Sequence, residues 1–427
     1  MKKLSLLLLY SIFSLGLVAQ PYTWETCRKM ALDNNATLRD KRVQEEMAEQ
    51  MKKQAMTFYF PNVSAIGMGF TAADPLISLD LGMLGNMAFL KDGLMASAMA
   101  VQPVFMGGKI FYSNKLAKLG VTASKLFTRQ SEDQVLAQTD EYYWTLVTLY
   151  EKRKTVAVMT GVLDSLYKDV TQAKKAGVLG QNDVLKVQLE QHSLSSKRIE
   201  LENGIFLCKM ALARQMGMRV DSLDGFDVLP PADSLYTTPS AFYMEPAQAL
   251  VTRTEYELLQ TAVKAATLEK RIERANYLPQ VAVGAAYYYE NLLDKNNTNG
   301  ALMAGVRVPI SDWWRGAYAL RHKQLAEQRA MLQQEDGQQQ LLMQIQQAWG
   351  AFTEAYEQLQ VANLSVAASE ENARLNREFF HAGTVSLTEL LAAQGYLQVS
   401  YDNRTEAVKK YHVAKNTYLQ VTGRDVR

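Results

Sequence analysis

The sequence is short of cysteine, histidine and proline, and each shortage closes a class of explanation. Cys27 and Cys208 are the only cysteines among 427 residues, which excludes a disulfide framework. Placed on the helices predicted below, they stand on the order of 18 Å apart along the axis at 1.5 Å per residue, beyond disulfide reach. The four histidines, His192, His322, His381 and His412, are scattered over predicted helices without ligand-pair spacing, so neither a metal nor a cofactor is expected. No phosphate loop or nucleophile elbow is present, and Gly107-Gly108 reads as a bend at a strand exit. The sequence therefore points away from an enzyme. With 46 basic and 44 acidic side chains, nucleic acid is not an expected partner either. Beyond the amino terminus no apolar run reaches 18 residues, so entry into a membrane would require a β-barrel.

What is present begins at the amino terminus. Lys2 and Lys3 precede an apolar run from Leu4 to Val18, and Ala19 closes it before Gln20-Pro21, the pattern of a secretory signal peptide. The run is shorter than the roughly 20 residues of a spanning helix, which argues against a membrane anchor. Trp24-Glu25-Thr26 before Cys27 is no lipid-attachment box, so the mature chain is expected to start near Gln20 or Pro21 without an acyl group.

The rest reads as a tandem duplication. Pro61-Asn62-Val63 recurs as Pro279-Gln280-Val281 at an offset of 218, and Ala31-Leu32 falls on Ala249-Leu250 in the same register. Further on the offset becomes 206: Pro103 falls on Pro309, Tyr150-Glu151 on Tyr356-Glu357, Gly177 on Gly383, Gln188 on Gln394 and Gly217 on Gly423. One step of 12 residues between Pro61 and Pro103 reconciles the two, so the first half should carry the longer loop there. So long a period means a duplicated structural half, not a solenoid. The expected divisions are a signal peptide at 1–20, a first repeat at 21–220, a proline-containing linker at 221–246 and a second repeat at 247–427.

Within each half the hydrophobic period changes. Helices are predicted over Trp24 to Tyr59 and Glu245 to Tyr277, each ending before a proline. Strands follow at about 60–71 and 94–105, then 278–289 and 301–310, the second pair joined by a turn at Asp294-Lys295-Asn296-Asn297. Their length of about ten residues suits tilted transmembrane strands, although buried strands of a soluble sheet have the same composition. Lys109 to about Lys175 and Arg315 to about Phe380 contain no proline, and their apolar residues recur every seven: Leu136, Tyr143 and Tyr150 with Leu146 between, and Leu342, Trp349 and Tyr356 with Phe352 between. Breaks near Gly177-Val178-Leu179-Gly180 and Gly383-Thr384 start return helices about half as long. The expected class is therefore mostly α with a small β part: a tall helical column with four strands at one end and two hairpin tips at the other. Four strands leave open edges, so the chain must oligomerise; two chains give eight strands and three give twelve.

These features resemble the TolC-like outer-membrane efflux protein family, the outer-membrane factors of tripartite efflux and type I secretion systems. The tips carry the likeness furthest: Ala382-Gly383-Thr384 followed by Glu389, Leu390 and Gln394 is similar to the family's second tip motif, and Ala176-Gly177-Val178 through Asp183 to the first. The resemblance implies a homotrimer with a 12-stranded barrel in the cell outer membrane and a long α-helical extension through the periplasm. It implies docking of a periplasmic adaptor (a membrane fusion protein) and through it an inner-membrane transporter. The tips Ala176, Gly177, Val178, Ala382, Gly383 and Thr384 would face the adaptor, and Glu389, Leu387, Leu390 and Leu391 would form the periplasmic gate, held shut mainly by apolar packing of the three leucines. Ala392 stands where a second acidic ring is common, and Val385 where some members have a polar or basic latch. The linker would lie in an equatorial belt, and with four residues after Gly423 an extended carboxy-terminal belt segment would be missing. Alternatives are a periplasmic adaptor, which is also exported and carries a helical hairpin but whose lipoyl-like and small β-barrel modules find no counterpart here, and a structural envelope coiled coil, which leaves the strand pairs unexplained. On the bland readings the tip glycines merely end helices and Glu389 is an ordinary solvated residue.

Overall fold

The computed structural model describes residues 21–80, 82, 86–89, 91–219, 225–230, 236–292 and 295–424, so the predicted signal peptide lies outside the described residues. The first half runs α1 (Trp24–Asn34), α2 (Ala36–Thr57), β1 (Asn62–Thr71), β2 (Ile77–Asp80), β3 (Asn86–Phe89), β4 (Asp92–Met106), α3 (Lys109–Lys175) and α4 (Gln181–Gln215). The second runs α5 (Pro246–Thr252), α6 (Thr254–Ala275), β5 (Gln280–Leu292), β6 (Lys295–Arg307), α7 (Asp312–His381) and α8 (Leu387–Val421). A 3-10 turn, Pro239–Phe242, lies in the linker. The chain divides into two compact units. One contains Met1–Lys41, Thr128–Thr254 and Gln339–Arg427, and the other Arg42–Phe127 and Glu255–Gln338.

The second unit holds a four-stranded antiparallel sheet in the order β1-β4-β5-β6. Pairing is continuous from Asn62↔Val101 to Thr71↔Asp92 and from Gln280↔Arg307 to Leu292↔Lys295. Between β4 and β5 the register shifts at Pro103/Phe105, where proline brings no amide hydrogen to the ladder. Neither face of β1 is covered: Val63 is 72% exposed and its neighbours Ile66 and Met68 are also exposed. A soluble sheet buries one face, so the exposure disfavours that reading of the strands. The proposed turn at 294–297 is overturned in part, because β6 begins at Lys295 and Asn296 and Asn297 pair with Asn291 and Glu290. The longer first loop contains a hairpin, β2 with β3, that its mixed composition did not announce. In the same unit α6 and α7 approach closely. A Cβ on Gly316 would stand 2.6 Å from Tyr277 and one on Gly337 2.8 Å from Leu259, while Lys323 pairs with Glu269 at 2.7 Å and Lys270 with Glu327.

The other unit is helical. Without a proline to interrupt the backbone ladder, α3 and α7 run 67 and 70 residues and the return helices α4 and α8 run 35 each. The heptad expectation holds closely in α3, where Leu136, Tyr143 and Leu146 are fully buried. In α7 the buried line runs through Ile345, Ala348, Phe352, Ala355 and Leu359, with Trp349 and Tyr356 on its flank. Tyrosine hydroxyls tie the linker down: Tyr143 donates to Leu229 O at 2.5 Å, Tyr411 donates to Thr237 O at 2.8 Å, and Tyr418 accepts from Met244 N at 3.0 Å. Cys27 and Cys208 are free and buried in one apolar cluster. Burial pushes both thiols up, Cys27 to about 12 and Cys208 to about 11, so both are protonated and inert.

The single helices expected before each sheet are each broken in two, at Asn35 and at Arg253. The cause is a long-range contact that local composition does not encode. At the end of α4, Gly217 adopts φ +72 and lies so close to the break that a Cβ would stand 2.3 Å from Asn34 O. Gly423 after α8, with φ +68, does the same against Thr252, at 2.7 Å from its Oγ1. Asn35 completes the first break: its Nδ2 donates to Gln215 O at 2.9 Å and its Oδ1 accepts from Thr37 N at 2.8 Å. Gly217→Ala should therefore destabilise the protein by about 3 kcal/mol, combining roughly 1–2 for a left-handed Cβ and roughly 1–3 for a forced displacement. Gly177→Ala, with φ +76 and nothing within 4 Å, should lose only the first part. Thermal melting in detergent, followed by circular dichroism, compares the two; equal melting temperatures would contradict the contact.

Candidate functional site

Both predicted tips are tight turns between a long helix and its return helix. At the end of α3, Gly177 N donates to Lys174 O at 3.0 Å and Val178 N to Ala173 O at 2.9 Å. At the end of α7, Gly383 N donates to Phe380 O at 3.0 Å and Thr384 N to Phe379 O at 2.9 Å. This pair of bonds closes a helix on a left-handed residue, and glycine adopts that conformation without a Cβ penalty. Neither Gly177 nor Gly383 has anything within 4 Å of where a Cβ would stand. Val178 is 75% exposed, and Ala176, Ala382 and Thr384 are exposed as well. The glycines do end helices, then, but around them the tips are bare small-residue surface. Lys186 Nζ donates to Thr388 Oγ1 at 3.1 Å, linking the starts of the two return helices.

The acidic residue of each tip motif has a structural task that sequence reasoning missed. Ser386 caps α8: its Oγ accepts from Glu389 N at 3.3 Å, while Glu389 Oε2 accepts from Ser386 N at 2.7 Å. This is a reciprocal capping box, and the spacing Ser-x-x-Glu was the available signal. In the first half the counterpart of Ser386 is Gly180, which lacks a hydroxyl, so only half the box survives: Gly180 N donates to Asp183 Oδ2 at 3.2 Å. The backbone N–H of Ser386, then its hydroxyl, hold the Glu389 carboxyl below the usual carboxylate range. A depressed carboxylate pKa stabilises the fold above the unfolded value near 4.5 and ceases to do so as pH falls through the folded value. Glu389 is exposed. Leu387 and Leu390 are buried with Val156, Met159, Leu163, Leu166 and Val170 of α3, and Leu391 is packed against that cluster partly buried. The three leucines therefore form one apolar layer under the tips within a single chain.

A second polar centre, also missed, lies deeper in the helical unit. Asp140 of α3 receives Trp24 Nε1 at 2.7 Å on Oδ1, and Arg28 Nη1 at 2.7 Å and Asn416 Nδ2 at 3.0 Å on Oδ2. The Arg28 and Asp140 side chains are each 5% exposed. One carboxylate thus joins α1, α3 and α8. The signal was an acid on the apolar line formed by Leu136, Tyr143 and Val147. Nearby His412 stacks on Trp144 with ring centroids 3.7 Å apart, and burial, with Lys415 adding, lowers it to about 4, so it is neutral at pH 7. Among the described residues no group of three or more His, Cys, Asp or Glu could hold a metal ion, and no helix is long and apolar enough to cross a membrane.

Residues 246–424 match the family model described as outer membrane efflux protein. No curated protein sequence matches the chain. Solved structures resemble nearly all of it. The CmeC outer membrane channel of Campylobacter jejuni has a TM-score of 0.83 at 14% identity, covering 94% of this chain and 85% of that one. The outer membrane protein VceC of Vibrio cholerae has a TM-score of 0.82 at 15% identity, covering 95% and 97%. The open-state MtrE outer membrane channel of Neisseria gonorrhoeae has a TM-score of 0.75 at 16% identity, covering 95% and 90%. Residues 246–424 thus match the outer membrane efflux protein family model, and nearly the whole chain shares the fold of these solved outer-membrane proteins.

Proposed function

We propose that this chain is the outer-membrane exit duct of a tripartite efflux or type I secretion system, passively conducting substrate delivered by an inner-membrane pump and a periplasmic adaptor. The observation that carries the reading is the sheet: four antiparallel strands without a buried residue among those described, β1 exposed on both faces, with β1 and β6 paired on one side only. A barrel in lipid leaves no strand edge unpaired, and three copies supply twelve strands, within the range of outer-membrane barrels. A tandem duplication accounts for the recurrence of the tip glycines, the 35-residue return helices and the glycine contacts at Asn34 and Thr252. The duct needs no cofactor and performs no covalent chemistry; the pump supplies the energy. Ala176, Gly177, Val178, Ala382, Gly383 and Thr384 form the adaptor-facing tips.

At the gate, one exposed carboxylate per chain, Glu389, makes a single acidic ring, backed by Leu387, Leu390 and Leu391. A ring of like charges concentrates cations, so the channel should prefer cations. Glu389→Gln tests the ring cleanly, because glutamine also serves at this position of a capping box and the substitution removes charge while keeping the cap. In planar bilayers under a salt gradient, wild type should show a cation-selective reversal potential, and Glu389→Gln a potential closer to zero. An unchanged potential removes Glu389 from the gate, and absence of any conductance from intact protein contradicts the duct.

A further inference from the structure

Behind the second tip, α3, α7 and α8 enclose a cavity of about 350 Å³ lined by Val162, Ser165, Asp169, Arg377, His381 and Gln394, among others. It opens beside the turn, since His381 is the last residue of α7 and Leu390 lies in the first turns of α8. Gln394 belongs to the buried line Leu387, Leu390, Gln394, Leu397 and is 6% exposed. Neither its Nε2 nor its Oε1 has a hydrogen-bond partner. A carboxamide left buried and unbonded is costly, so its presence on an apolar line calls for a reason. The equivalent residue 206 positions earlier sharpens the point. Gln188 has a partner, its Nε2 donating to Tyr167 Oη at 3.3 Å, whereas the counterpart of Tyr167 is Ala373, which has no hydroxyl to offer. The second half has lost the partner and kept the glutamine.

We propose that this cavity receives a carboxamide side chain, asparagine or glutamine, from the end of the adaptor's helical hairpin, held by paired hydrogen bonds to Gln394. The proposal rests on docking at the tips and names what is recognised there. A carboxylate would satisfy Nε2 and suit Arg377, but it would set its lone pairs against Oε1 and face Asp169. An ammonium would satisfy Oε1 and suit Asp169, but it would oppose Nε2 and Arg377. A carboxamide donates and accepts at once and meets both atoms of Gln394. The apolar wall of Val158, Val162, Leu166 and Leu390 suits the adjoining face of a helix.

The test places a photo-crosslinking p-benzoylphenylalanine at Val162 in the cavity, and separately at Val178 on the tip, in cells carrying the native system, with cross-linked peptides identified by mass spectrometry. The expected result is that both sites capture the adaptor, Val162 through a hairpin peptide containing asparagine or glutamine. Gln394→Leu should then lower the Val162 yield about tenfold without lowering the melting temperature, since it removes an unsatisfied group. Capture of a second copy of this chain at Val162, no product there while Val178 captures the adaptor, or an unchanged Val162 yield in Gln394→Leu would overturn the cavity's role and leave tip docking standing. A lower melting temperature in Gln394→Leu would make the residue structural and also overturn the proposal. Failure of both sites to capture the adaptor would remove tip docking itself.

Discussion

Replacing Gly383 with leucine should abolish transport and adaptor cross-linking while leaving the assembled protein in the outer membrane. The two halves of that expectation have separate physical grounds. Gly383 has φ +74 and nothing within 4 Å of a Cβ position, so a leucine finds space and the fold loses roughly 1–2 kcal/mol from left-handed backbone alone. The surrounding surface, by contrast, is made of Ala382, Gly383 and the short Thr384, and a partner that packs helix to helix against it needs that surface flat. An isobutyl group at the apex holds the partner away by more than a side-chain contact distance. Substrate accumulation in cells and cross-linking at the tip measure the loss; heat-modified migration of the outer-membrane fraction measures assembly. Normal transport by Gly383→Leu would show that the glycine only ends a helix.

Asp140→Ala should be the most damaging single substitution for stability, at about 3–5 kcal/mol, the usual cost of removing one partner of a buried ion pair. Three donors lose their acceptor at once, Trp24 Nε1, Arg28 Nη1 and Asn416 Nδ2, and Arg28 loses a carboxylate at 2.7 Å where both side chains are almost out of water. Asp140→Asn, which keeps an acceptor but not the charge, should fall between wild type and Asp140→Ala. Arg28→Met combined with Asp140→Leu should recover part of the loss, because apolar replacement of a whole buried pair is often tolerated. Melting of the purified protein orders the four; if Asp140→Ala melts with wild type, the network does not hold α1, α3 and α8 together.

What the sequence disclosed and what it withheld divide along a physical line. Helix length is written locally, by the absence of proline between Lys109 and Lys175 and by the glycines that follow, and those ends fall where the spacing predicted them. Strands β1, β4 and β5 were legible to within about three residues because proline and the length of the apolar runs bound them, whereas β6 starts six residues before the expected 301, in a polar stretch that reads as a turn. The breaks at Asn35 and Arg253 were not, because Gly217 and Gly423, more than 150 positions away, impose them. The turns at the two tips could be read from Gly177 and Gly383, whose left-handed backbone closes α3 and α7. Glu389 was read as a charge at a gate, and its bond to Ser386 adds a task that the motif also encodes. Asp140 and Gln394 were harder: each stands on an apolar heptad line, where a polar residue signals either a buried partner or an absent one, and only the packed structure tells which. Asp140 has its partners; Gln394 has none among the described residues.

The claim on which all else depends is that four strands with two open edges close only between chains. The mass of the complex extracted in mild detergent from outer membranes, measured by native mass spectrometry together with its strand content by circular dichroism, tests this directly. The account predicts three copies of the chain with the β-sheet intact. A monomer retaining its full strand content would contradict it.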